Sequence, residues 1–163
     1  MSKPKYQIED FLANVSEDNC NFVISVRDYM LENNFKQKIQ VTKTTGLQLS
    51  FAEPKVKSIT GVVVILFLRD GELRVRVYGT NHKVYPTRLD SLPENIVQQI
   101  DKSPNCVKFT NPQKCWTGCG GYDFSIRDKR YQKCLVSCFE IKLDAESESF
   151  LLELIKSEAM ARN

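Results

Sequence analysis

Five of the six cysteines in this 163-residue chain fall between Cys106 and Phe139, together with its only tryptophan and a Gly-Gly pair. Thiolates are soft donors, and four within reach of one point form the tetrahedral set that structural zinc prefers. Cys106, Cys115, Cys119 and Cys134 are separated by eight, three and fourteen residues. Cys115 and Cys119 share a short loop, and Gly120-Gly121 frees the backbone after it to turn N–H groups toward a thiolate. The intervening YDFSIRDKRYQK alternates apolar and polar residues and reads as a hairpin. With Asp128-Lys129 as a two-residue loop, Ile126 faces Tyr131, Phe124 faces Lys133 and Asp123 faces Cys134. The open end of that hairpin returns Cys134 to Cys119, since paired strands lie about 5 Å apart. Cys106 completes four thiolates, and Lys108, Lys114 and Lys133 offset their charge.

Other readings of the same residues compete. Cysteine is among the most buried residue types, so some of these thiols are expected simply to fill core. Disulfides are disfavoured, because nothing at the N-terminus resembles a secretory signal and cytoplasmic thiols stay reduced. Cys138 follows Cys134 by four residues; in a strand both share a face about 13 Å apart, too far for one ion. Cys20 lies on a helical pattern and is assigned to core. His82, the only histidine, is an alternative to Cys106 as fourth ligand, as is Cys138. Trp116, inside the Cys115–Cys119 loop, is expected to shield the site as a lid.

The pattern of Cys106, Asn111-Pro112, Cys115, Cys119, Gly121-Tyr122, Phe124, Tyr131, Lys133-Cys134 and Phe139 resembles a group of small bacterial proteins without an assigned activity. That resemblance implies a shared cysteine site and no particular reaction. The N-terminal order of helix, four-stranded sheet and helix is loosely similar to frataxin-like iron-chaperone domains, a likeness of architecture alone.

The elements that must position these residues follow from composition and periodicity. A 42% hydrophobic and 26% charged chain of this length is expected to form one globular domain with a real core. No apolar run reaches the ~20 residues of a membrane helix, and a cytoplasmic location is expected. Helical spacing covers residues 7–32 in two pieces, with Ser16 as N-cap and Phe22, Val23, Val26 and Met30 as a buried stripe. A sheet follows over 36–79. Its third strand is apolar at nearly every position, and Asp70-Gly71 is a two-residue hairpin signal. That turn sets Arg69 opposite Glu72, Leu68 opposite Leu73, Leu66 opposite Val75 and Val64 opposite Val77. A helix over 93–101, the cysteine segment over 106–143 with a strand from Leu135 to Leu143, and a helix over 145–160 capped by Asp144 complete the chain. The fold expected is α+β: one domain with a largely antiparallel sheet, helices mainly on one face, and a cysteine-bearing hairpin held at the sheet edge by metal and the last helix.

The second face of the sheet sets Arg74, Arg76 and Tyr78 among apolar residues. It offers an anionic ligand or a nucleic-acid strand a place to bind, with Trp116 as a further ligand-contact candidate. Against this, arginine stems often cover apolar surface with the guanidinium in water, or acids on neighbouring strands neutralise them. A net charge of +3 allows an anionic partner without arguing for one. The function expected is a zinc-binding accessory module whose four-thiolate site is structural. A thiol-redox sensor, or a protein that handles metal or small molecules through the same cysteines, is the alternative. Catalysis has little support, for the chain has no H-E-x-x-H, no G-x-S-x-G and no phosphate loop.

Overall fold

The computed structural model of the chain describes residues 5–81, 83 and 87–163. A five-stranded antiparallel sheet forms its body, built from β1 (Lys36–Thr42), β2 (Gly46–Ala52), β3 (Val62–Arg69), β4 (Glu72–Val77) and β7 (Glu140–Lys142) in that spatial order. β5 (Tyr122–Ile126) and β6 (Lys129–Lys133) make a separate two-stranded sheet. The α+β class and the antiparallel sheet are as the sequence implies.

Turn chemistry sets the register of the body. Asp70 and Gly71 adopt φ of 55° and 77°, the pair of positive values that a tight hairpin turn demands and that Asp-Gly supplies cheaply. Val64 therefore pairs with Val77, Leu66 with Val75 and Leu68 with Leu73. Leu49 and Phe51 of β2 and Ile141 of β7 extend that face across four strands. Val64, Leu66, Val75, Leu49, Phe51 and Ile141 are completely buried. Above them lie α1 (Ile8–Leu12), α2 (Glu17–Glu32) and α5 (Glu148–Arg162), which bring Phe11, Phe22, Val23, Val26, Met30, Leu151, Leu154 and Ile155 into the core. Each such side chain contributes about 1.5–3 kcal/mol of transfer free energy.

The last helix starts later than expected. Asp144 caps a turn rather than the helix: its carboxylate accepts the N–H groups of Glu146 at 3.1 Å and Ser147 at 2.8 Å. The helix proper begins at Glu148, with buried Ser147 before it. Its far end carries a network that the sequence does not announce. Glu158, fully buried, accepts from Arg162 Nε at 2.8 Å, from Thr80 Oγ1 at 3.0 Å and from the Asn81 amide and backbone N–H. Arg162 also donates to the Glu53 carboxylate and to the carbonyls of Thr60 and Tyr78. Read from the sequence, Arg162 only complements a helix dipole. In the fold it ties α5 to the exits of β2 and β4.

The cysteine hairpin differs from expectation in two respects. Its turn is Arg127-Asp128, not Asp128-Lys129, so Ile126 pairs with Lys129, Phe124 with Tyr131, Asp123 with Gln132 and Tyr122 with Lys133. Arg127 takes φ of 53°, costly for a side chain with a Cβ; its N–H is held at 2.7 Å by the Asp90 carboxylate of α3 (Thr87–Asp90). The strand expected from Leu135 is also absent before Glu140. Residues 134–139 instead form a helical turn, with the Cys138 N–H bonded to the Cys134 carbonyl at 3.0 Å. The lobe is joined to the body by Phe139, whose ring meets Tyr122 at 5.0 Å and Phe124 at 5.6 Å, and whose carbonyl accepts the Val77 N–H. Leu89 and Leu92, with Ile96, Val97 and Ile100 of α4 (Glu94–Lys102), join the same core cluster. This aromatic and aliphatic seam, rather than the last helix, attaches the hairpin.

Candidate functional site

Three of the four expected thiols gather at one end of the lobe. Asn105 pairs with Lys133 across the outer side of β6, and the Cys106 N–H bonds to the Gln132 carbonyl at 2.9 Å. Cys106 is buried and its sulfur packs on Gly121: a Cβ there would lie 2.8 Å from Sγ and 2.9 Å from the Phe109 ring. Gly121 has φ of 63°, so space and backbone conformation both require glycine. The chain then folds through two 3-10 turns, Val107–Phe109 and Pro112–Lys114, which end at Cys115. Cys119 follows with its N–H bonded to the Trp116 carbonyl at 3.2 Å.

Cys119 is 1% exposed, and burial is the largest effect pushing its thiol above the ordinary value. The Gly121 N–H donates to its sulfur and acts in the opposite sense. The hydrogen-bonded Cys115 thiol and nearby Cys106 raise it further, because adjacent thiolates repel. Without a bound cation Cys119 stays protonated at neutral pH; a cation among the three sulfurs would reverse that preference. Lys108 donates to the Cys119 carbonyl and braces the loop from outside.

The remaining sequence candidates are placed differently. Cys134 sits at the end of β6, its N–H on the Pro104 carbonyl at 3.1 Å, and its electrostatic neighbours include Cys138 and Tyr78. It shares a ladder side with Cys106, diagonal to it, because the Asn105–Lys133 pair points the other way. Among the described residues no group of three or more His, Cys, Asp or Glu side chains is arranged to hold a metal ion. The expected four-thiolate set is thus not assembled. Cys138 is fully buried, and desolvation drives its thiol far up; the helical turn removes the 13 Å strand spacing, but this thiol fills core. Cys20 is half-buried against α2's own side of the core. His82 lies outside the described residues.

Lys133, expected to offset the charge of the thiolate set, acts on the Cys138 thiol and is not among the neighbours of Cys119. Its buried ammonium donates to the carbonyls of Asp101 at 2.9 Å and Ser103 at 2.7 Å, closing the C-terminal end of α4. Trp116 is no lid: it is 43% exposed and its ring lies over Gly118 of its own loop.

On the open face of the sheet, Arg76 donates from Nε and Nη2 to one carboxylate oxygen of Glu140 at 3.1 and 2.6 Å. Arg69 reaches the other oxygen. Both guanidinium groups lie 5.2 Å from the Phe67 ring centre and cover it completely. Arg74 faces Glu72 at 3.5 Å. Glu140 on the neighbouring β7 therefore meets Arg76, as one of the competing readings holds, while the acid that meets Arg74 lies two residues away on its own strand. Tyr78 is buried, its hydroxyl pushed up by burial and drawn back by Arg76, so it offers no surface to a ligand. The sequence does not single out Arg69, Lys102, Lys142 and Glu140 in this region; the cross-strand register through Arg74–Lys142 and Arg76–Glu140 would have found the last two had the strand ending at Leu143 been paired with β4.

No described helix is long and apolar enough to cross a membrane. Comparison with protein-family models, with curated proteins and with solved structures finds no match to this chain.

Proposed function

We propose that this protein is a non-enzymatic binding module whose cysteine lobe takes up one zinc ion on Cys106, Cys115 and Cys119, with Cys134 as the fourth donor. The carrying observation is the approach of Cys106 and Cys115 to Cys119, whose sulfur already accepts the Gly121 N–H. Such a hydrogen bond favours the thiolate form that metal binding needs. Cys134 stands on the same ladder side as Cys106, so the Cys115–Cys119 loop must close on both as the ion enters. Gly118, with φ of 96°, and the Gly120-Gly121 pair give that loop its range. A closed set of four thiolates leaves no position for substrate, which makes the role structural.

A second reading rests on the hydrogen bond between the Cys115 and Cys119 thiols. A small-molecule disulfide accepts two electrons from this pair: one thiolate attacks it and releases a thiol, then the other displaces the second thiol and closes an intramolecular disulfide. Half-buried Cys115 is the attacking member and buried Cys119 the resolving one.

One titration separates the two. Zinc added to the reduced, metal-free chain should release protons at about one equivalent and shift the emission of Trp116 as its loop closes. Oxidised glutathione should then leave the zinc-loaded chain unchanged. If zinc gives no saturable response while oxidised glutathione removes two hydrogens by mass, the metal reading fails and the dithiol reading replaces it.

A further inference from the structure

A groove of about 620 Å³ opens on the uncovered face of the sheet, between β3, β4 and β7 and the end of α4. Arg69, Arg74, Arg76, Lys102, Lys142 and Glu140 line it. Counting Glu72, which takes Lys142 at its edge, five cations meet two carboxylates. That leaves a surplus of three positive charges around one opening.

We infer that this groove binds a small polyphosphate, an inorganic or organic ligand with adjacent phosphoryl groups. The cations differ in what they have left to give. Arg76 is committed, forked onto Glu140 with both side chains mostly buried. Arg74 is not: its contact to Glu72 is long at 3.5 Å, and its Nε, shielded from water, has no partner. A buried donor without an acceptor costs free energy that a ligand oxygen would recover. Among the described residues Lys102 has no ion-pair partner and is exposed. Lys142 holds only Glu72, itself more than a third exposed and easily displaced. A guanidinium and two ammonium groups around one opening match a ligand with several closely spaced negative charges. The Ser137 hydroxyl lies on the same wall.

The size suits a small molecule, since such sites span roughly 300–1,000 Å³. A single strand of nucleic acid fits less well. Strand-binding surfaces stack bases on exposed aromatic rings, whereas Phe67, beneath Arg69 and Arg76, and Tyr78, beside Arg76, are both buried. The groove offers charge without a stacking surface. This site is separate from the thiols, and its test does not depend on them.

Calorimetry of the full reduced chain with inorganic tripolyphosphate is the test. Saturable binding of one ligand is expected at about 50 mM salt, weakening at least about tenfold by 200 mM as screening rises. Arg74→Ala combined with Lys142→Ala should lower affinity at least about tenfold, whereas Lys43→Ala, on the distant β1–β2 turn, should leave it unchanged. Glu72→Gln removes the competing carboxylate and should tighten binding several-fold, a gain that misfolding cannot imitate. No saturable heat at low salt, or Glu72→Gln binding no more tightly than the parent, would overturn the inference. Tighter binding of a single-stranded oligonucleotide than of tripolyphosphate would also overturn it, in favour of a strand-binding face.

Discussion

On the sheet, Arg76 and Glu140 stand opposite each other on β4 and β7, and the ladder alone sets their approach. In the cysteine lobe, Cys106, Cys115 and Cys119 stand on successive turns whose backbone hydrogen bonds are mostly local, with Gly118 and Gly120-Gly121 on either side of Cys119. The body pairs most of its charged groups, Arg74 Nε being an exception; even buried Glu158 has its carboxylate satisfied by Arg162, Thr80 and Asn81. The lobe leaves its thiols with one another and with one N–H. Strands deliver side chains at set spacing and need no ligand to do so. Turns deliver them only approximately, and a bound ion is the natural agent to complete the order.

Breaking the body should therefore cost most. Arg162→Met leaves the buried Glu158 carboxylate without its ion-pair partner, and unfolding by denaturant should show a loss of about 3–5 kcal/mol. A loss under about 1 kcal/mol would mean that Thr80 and Asn81 alone satisfy Glu158. Gly121→Ala addresses the lobe. It meets Cys106 Sγ at 2.8 Å and forces alanine to φ of 63°, for an expected loss of about 1–2 kcal/mol together with weaker zinc uptake. Zinc affinity equal to the parent's would separate Gly121 from the thiol site.

The smallest effect belongs to pH. The Arg130 hydrogen bond, aided by Gln132, holds the Asp123 carboxyl down at about 2. A carboxyl lower in the folded state than unfolded adds stability that is complete above its unfolded value, about 3.9, and is lost as pH falls toward 2. Arg130 is exposed and Asp123 half-buried at the hairpin surface, so salt should weaken the effect. Asp123→Asn should flatten the stability profile between about pH 4 and 2, read by thermal melts; an unchanged slope would assign acid sensitivity elsewhere.

How far the sequence leads differs between the same two regions, for a physical reason. Asp70-Gly71 announces its turn because few other pairs tolerate two positive φ values, and every contact of β3 with β4 follows. Arg127-Asp128 announces nothing. Arginine rarely adopts φ of 53°, so the turn reads one residue too late and every pairing shifts by two, placing Tyr131 rather than Lys129 opposite Ile126. Leu135 to Leu143 alternates like a strand, yet its first residues coil to seat Cys138 and Phe139 in the core. That Cys115 and Cys119 share one short loop was legible from their spacing. The separation of Cys134 was not, since it depends on that coil. The Glu158–Arg162 network depends on three distant segments meeting, and an i,i+4 charge pair on a helix reads the same whether exposed or buried.

The central claim is that the thiols of the lobe exist to hold zinc, and metal analysis of the purified, reduced protein tests it most directly. The account predicts about one zinc per chain. Cys106→Ser, Cys115→Ser and Cys119→Ser should each abolish it, Cys134→Ser should weaken its retention, and Cys20→Ser and Cys138→Ser should leave it in place. Protein that carries no zinc even after incubation with the ion, or that keeps it in full when Cys119 is replaced, would contradict the account.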